Sequence, residues 1–209
     1  SPTPSSETYR GTAGFSEPET RAVKYFCENH QFRISLNNHT YGNLLVYPWG
    51  YTDSNTPDSM HYHQIAKSMS NYNRFVYGTG TETVGYTTNG DADDWMHGET
   101  GTKNKIFSFT PEAGDGANGF WPSQANILPN CNLSMHTNMN LMRSALAYAD
   151  CDDIGSRFLT PSGSSAKYML YNRGMTTNAT FTVSIIPITN NITAGAPKVY
   201  NSPAFMTTL

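Results

Sequence analysis

Charge is scarce in this sequence. Asp, Glu, Lys and Arg make up 14% of its 209 residues, about half of what an ordinary soluble domain carries. The net charge is −3 and no basic stripe occurs, so nucleic acid is not an expected partner. No run approaches the roughly 18 apolar residues that a membrane span needs. An initiating Met and a signal peptide are missing too. The chain opens Ser1-Pro2-Thr3-Pro4-Ser5-Ser6 and reads as a stretch from the middle of a longer protein. Cysteine is limited to Cys27, Cys131 and Cys151, with no spacing of a structural zinc site. A Cys131–Cys151 bridge is not expected. The helix read between them is far too long for a disulfide, whose Cα atoms lie roughly 4.4–6.8 Å apart. What the sequence does have is Asn, Thr, Ser, Gly and Tyr for polarity, with 37% hydrophobic and 12% aromatic residues to build a core. That profile points to a secreted, periplasmic or cell-surface protein. Asn38, Asn132, Asn178 and Asn191 begin Asn-x-Ser/Thr triplets, which an Asn- and Thr-rich chain contains by chance.

Ser16-Glu17-Pro18-Glu19 has the pattern of a capping box with Pro in the first turn. Ala22, Val23, Phe26 and Cys27 follow at helical spacing, which predicts a helix over about 17–29. Phe32 to Leu36 is a short strand, and Leu44 to Tyr47 a second, stopped by Pro48 and Gly50. Asp58 caps a helix reaching about Tyr72, with Met60, Ile65 and Met69 on its inner face. A Gly/Thr-rich loop covers Gly78 to Gly90, and Trp95-Met96 marks a short turn. Ile106 to Thr110 is a third strand. Cys131 to Asp150 reads as a long helix, with Met135, Met139, Met142 and Leu146 as core filler. From Cys151 the texture turns strand-like, at Ala166 to Tyr171 and Thr180 to Ile188. A boundary near Cys151 to Ser156 divides an α/β portion, 1–150, from a β-rich accessory portion, 151–209. The latter resembles the opening strands of a β-sandwich, too few to close one.

Two strand ends could carry chemistry, because ligands of parallel and mixed sheets gather beyond the carboxyl ends of the strands. The first strand delivers His39 there and the third delivers Glu112. Around them, His39-Thr40-Tyr41-Gly42-Asn43-Leu44-Leu45-Val46-Tyr47-Pro48-Trp49-Gly50-Tyr51 resembles an ungapped run of the zinc carboxypeptidases of peptidase family M14. Ser6-Glu7-Thr8-Tyr9-Arg10-Gly11 upstream resembles the family's Ser-Glu-Thr-Tyr-x-Gly. Phe107-Ser108-Phe109-Thr110-Pro111-Glu112, then Gly119-Phe120 and Ile127-Leu128-Pro129, resemble its glutamate strand and tail. The resemblance covers about residues 5–150, the C-terminal half of the catalytic domain, and implies a mixed-sheet α/β fold. In this chain Thr110-Pro111 stand between Phe109 and the glutamate, where the family has Glu directly after Phe-Thr-Phe.

The resemblance implies a role for each of five residues. His39 would be one of three protein ligands of a catalytic Zn2+. Glu112 would be the general base and then the acid toward the leaving amine. Tyr86, nine residues before Trp95, would hydrogen-bond the substrate's terminal region, and Tyr41 would line a neighbouring subsite. Asp93, in Asn89-Gly90-Asp91-Ala92-Asp93-Asp94-Trp95, falls in the family's pocket-floor segment. There it would favour substrates ending in Lys or Arg.

The family's His-x-x-Glu and carboxylate-binding arginines lie upstream of the aligned region. No His of this chain is followed by Glu three residues on. His61 and His63 lie two apart on a helix and point to different faces, so they read as solvated. His30, His97 and His136 have no partner pattern. The expected activity of the complete domain is removal of C-terminal residues from peptides, basic ones included, with this chain inactive alone. The alternatives are a cell-wall γ-D-glutamyl endopeptidase or deglutamylase acting on peptidoglycan peptides, and a non-catalytic surface binding module. Half a sheet leaves a strand edge and apolar faces uncovered. The expected cover is the missing N-terminal half of the domain, or self-association.

Overall fold

The computed structural model describes residues 1–155, 160 and 162–204. The chain divides into two compact units, residues 1–141 and 142–209. The expected boundary residue Ser156 lies outside the described residues.

The first unit is built on a four-stranded mixed sheet in the order β1-β4-β2-β3. Its strands are β1 (Ile34–Leu36), β2 (Leu44–Val46), β3 (Val76–Gly78) and β4 (Phe107–Glu112). β4 runs parallel to β1, with Ile34 opposite Phe107, and antiparallel to β2, with Leu44 opposite Glu112. β2 and β3 are parallel. β4 extends two residues beyond the expected Ile106–Thr110 segment, so Glu112 sits inside the strand rather than after it. Pro111 is accommodated there although the strand is central. It has no N–H to give, but its carbonyl accepts from the His39 N–H at 2.9 Å. One ladder donor is lost, and the pairing resumes where the Ala113 N–H donates to the His39 carbonyl at 3.0 Å.

Alternation along β4 separates two faces. Phe107 and Phe109 pack on the fully buried Tyr62, with ring centroids 5.1 Å away in both cases. Ser108, Thr110 and Glu112 occupy the other face. Tyr62, Ile65 and Met69 come from α2 (Ser59–Met69) and are wholly buried with Leu45 and Ile106. The expected inner residue Met60 is instead 65% exposed.

α1 spans Pro18–Glu28, but the capping box does not form: Glu17 is the N-cap and no side chain caps the helix. The Ser16 hydroxyl donates to the Glu17 carboxylate instead. Asp58 likewise precedes α2 without capping it. Its carboxylate is drawn to Lys105, to His61 Nδ1 at 3.5 Å and to His97 Nε2 at 3.7 Å. His61 is half-buried, contrary to the solvated reading, while His63 is exposed as expected; His97, for which no partner was expected, is almost fully buried. The Gly/Thr-rich loop contains a short helix, α3 (Gly80–Thr83), and the Trp95-Met96 turn is part of a helix, α4 (Ala92–Gly98).

α5 runs over Ile127–Ser144, not to Asp150. Its methionine stripe faces outward: Met135 is 58% and Met139 38% exposed. The face turned to α2 is polar because the last carbonyls of a helix need donors. Thr137 Oγ1 donates to the Met69 carbonyl at 3.1 Å, and Asn140 Nδ2 to the Ser68 carbonyl at 2.9 Å.

In the second unit, β5 (Ala149–Asp153) pairs antiparallel with β6 (Tyr168–Asn172), and β7 (Ala179–Val183) with β8 (Lys198–Ser202). Tyr168 and Tyr200 share a hydroxyl–hydroxyl hydrogen bond of 2.7 Å between the two ladders. Buried Asn172 donates to Ser202 Oγ and to the Ala204 carbonyl. Cys151 lies in β5, and all three cysteines are free.

Candidate active site

Parallel pairing of β1 and β4 brings their carboxyl ends to one edge of the sheet. The rungs continue past β1: the Asn37 N–H donates to the Phe109 carbonyl and the His39 N–H to the Pro111 carbonyl, each at 2.9 Å. His39 and Glu112 consequently form a parallel bridge pair. His39 Nδ1 lies 4.0 Å from Glu112 Oε1. Burial pushes the Glu112 carboxyl up from its ordinary value, while His39 pulls it down. Glu112 Oε2 is buried without a hydrogen-bond partner among the described residues, which leaves that acceptor unsatisfied.

A cavity of about 470 Å³ opens at this edge. His39, Glu112, Tyr86 and Asp93 all line it. Tyr86 is 61% exposed and follows α3 on the loop leading to α4. Tyr41 is not part of the lining. Its ring meets Phe120 edge-on at 4.8 Å.

Asp93 is placed differently from a carboxylate waiting in solvent. It is 3% exposed. Its Oδ1 accepts from Asn37 Nδ2 at 2.6 Å and from Ser108 Oγ, and its Oδ2 from Thr110 Oγ1 at 2.7 Å. Burial, reinforced by the Asp91 carboxylate, pushes its pKa from an ordinary 3.8 to about 6. Asn37, Ser108 and Thr110 are site residues that sequence reasoning missed. The alternation along β4 puts Ser108 and Thr110 on the face that carries Glu112, which was the available signal. Asp94 takes a bracing role: its carboxylate accepts from the Gly50 and Tyr51 N–H groups at 2.8 and 3.0 Å.

Two buried groups titrate against one another. Asp93 holds its proton more tightly in the folded chain. Its stabilising contribution is full below about pH 4 and is lost as pH rises through about 6. His97, depressed by burial and then by Lys105 from 6.5 to about 4, works in the opposite sense. Its contribution is full above about pH 6.5 and is lost as pH falls through about 4. Asp93→Asn is therefore expected to make stability rise more steeply from pH 4 to 6.5. His97→Phe is expected to make it fall over the same range. Urea-unfolding midpoints across that range check both; slopes equal to the parent chain's would show that neither group is perturbed.

His39 and Glu112 offer one imidazole and one carboxylate. Among the described residues no group of three His, Cys, Asp or Glu side chains is arranged to hold a metal ion. A catalytic zinc takes three protein ligands, and His39 with Glu112 is fewer than that. No helix of the described residues is long and apolar enough to cross a membrane.

Comparison with known proteins gives a consistent answer. The family model described as zinc carboxypeptidase matches residues 1–137. Carboxypeptidase A1 of Bos taurus is 36% identical over 136 residues, which cover 62% of this chain and 32% of that protein. Carboxypeptidase B of Bos taurus is 33% identical over 141 residues, covering 63% and 33%. A crystal structure of thrombin activatable fibrinolysis inhibitor superposes with a TM-score of 0.57 at 30% identity, covering 67% of this chain and 38% of that one. The chain spans about a third of the length of the curated relatives it matches. With its mixed α/β sheet, its paired strand ends and a family match over residues 1–137, this chain belongs to the zinc carboxypeptidase family of metallopeptidases.

Proposed function

We propose that this chain supplies the His39–Glu112 wall of a site that removes C-terminal residues from peptides. The observation that carries the reading is the β1–β4 register, which sets these two side chains 4.0 Å apart at one cavity edge with Tyr86 and Asp93. Zinc, held in the complete domain with His39 as one ligand, would supply the acidity of an attacking water. The Glu112 carboxylate accepts that water's proton and returns it to the leaving amine. Tyr86, exposed at the cavity mouth, donates its phenol to the terminal region of the peptide, and Tyr41 with Phe120 borders a neighbouring subsite. Residues 1–150 act as the catalytic portion and 151–209 as a β-rich accessory portion. The protein works outside the cytoplasm, as its low charge and Asn/Thr-rich composition suit.

Asp93 favours substrates ending in Lys or Arg. Three donors already occupy it, so a substrate cation meets the lone pair that remains on Oδ2. A charge-assisted contact contributes roughly 1.5–3 kcal/mol, which corresponds to about 10- to 150-fold in selectivity. The test is a complete enzyme containing this segment, offered peptides ending in Arg, Leu and Glu and a γ-D-glutamyl muropeptide. Expected is cleavage of the Arg peptide above the others, with the preference lost in Asp93→Ala. Preferential cleavage of the muropeptide would replace this reading with the cell-wall one. Binding without turnover of any of them would replace it with a binding module.

A further inference from the structure

Lys103 does not line the cavity, yet it is only 8% exposed. A buried ammonium is costly unless its three protons are met. Here they are met by backbone. Nζ donates to the Met96 carbonyl at 2.6 Å, to the Glu99 carbonyl at 2.8 Å and, longer, to the Asn104 carbonyl at 3.4 Å. It also lies 4.7 Å from the centroid of the Trp95 ring, a cation–π arrangement. The Met96 and Glu99 carbonyls belong to the C-terminal end of α4, where carbonyls lack helical partners and the helix dipole favours a cation. The loop between is turned back on itself, with Glu99 Oε1 accepting from the Gly101 and Thr102 N–H groups.

The other end of α4 is the cavity wall. Asp91, Ala92, Asp93 and Asp94 all line the cavity, and Asp94 clips the Gly50–Tyr51 backbone. α4 has only seven residues, so few internal hydrogen bonds hold it. We propose that Lys103 is a positioning residue whose ammonium serves as a built-in cation. It locks the C-terminal turn of α4 and thereby holds the Asp91–Asp94 wall in place. The role concerns the shape of the cavity, whichever ligand enters it, and so it does not depend on the peptidase reading.

The test uses the 209-residue chain and no activity assay, so its failure is separable from failure of that reading. Lys103→Met keeps the aliphatic stem and removes the charge. Amide exchange of Trp95, Glu99, Ile106, Gly50 and Tyr51 is expected to accelerate about tenfold or more, as loss of a charge-assisted contact implies. Helical amides of α2 should keep their rates. In Lys103→Ala, propylammonium replaces the missing atoms and should restore protection at those sites, where sodium chloride at equal ionic strength does not. Unchanged exchange, acceleration of α2 to the same extent, or equal protection in the two salts would overturn the proposal. Should the variants fail to fold, acetylation of the native chain decides. Lys103 is expected to react far more slowly than the exposed Lys67 and Lys198, and equal labelling would overturn the role.

Discussion

The purified 209-residue chain is expected to hold no stoichiometric zinc and to hydrolyse no peptide. Among the described residues His39 is the one imidazole lining the cavity, and no three-residue ligand group exists. One imidazole with water cannot hold a metal as a three-ligand cage does, since each ligand's contribution depends on the others fixing the geometry. The Glu112 carboxylate on this cavity edge could still take a proton. General-base help alone is worth only about 10²- to 10⁴-fold, however, and cannot replace a metal or oxyanion donors. Metal analysis after dialysis, together with a peptidase assay, checks this. Zinc bound at one equivalent with measurable turnover would show that His39 and Glu112 recruit ligands from elsewhere in the chain.

In a complete enzyme built with this segment, Glu112→Gln is expected to lower kcat by about 10²- to 10⁴-fold with little change in KM. The amide is nearly isosteric but cannot accept the proton. Tyr86 and Asp93 line the same cavity, and the substrate contacts proposed for them would remain, so ground-state binding is expected to be spared. The carboxyl's value, raised by burial against the pull of His39, also sets the acid limb of the kcat/KM profile above that of an ordinary glutamate. A Glu112→Gln enzyme retaining more than a tenth of parental kcat, or losing activity through KM alone, would remove the general-base role.

Much of this was legible before any coordinates. The first, second and fourth strands, the inward-facing Ile65 and Met69, and the run from His39 to Tyr51 all follow from local pattern. A three-residue strand without an apolar run carries no such pattern. β3 has one exposed and one half-buried residue before its glycine, and only its pairing with β2 defines it. The methionines of α5 mark a helix but not the direction it faces; the face turned to α2 instead carries Thr137 and Asn140, which donate to its C-terminal carbonyls.

The sequence by itself determined which residue types reach the sheet edge, because period-two alternation and strand length are local properties. It also determined the family, through motifs kept in order. The tertiary structure alone decided the rest. Ser35 and Ser108 are 73 residues apart, yet their hydroxyls lie 2.6 Å from one another. Only that parallel register turns a histidine and a glutamate into neighbours. Burial likewise depends on what covers a residue, not on its own chemistry. Asp93, read as a carboxylate facing substrate, became one held by three donors with its pKa near 6. Lys103, unremarked in the sequence, became the cation at the end of the helix that carries Asp93. Both outcomes follow from the same physics: a charge withdrawn from water must find its partners in the fold.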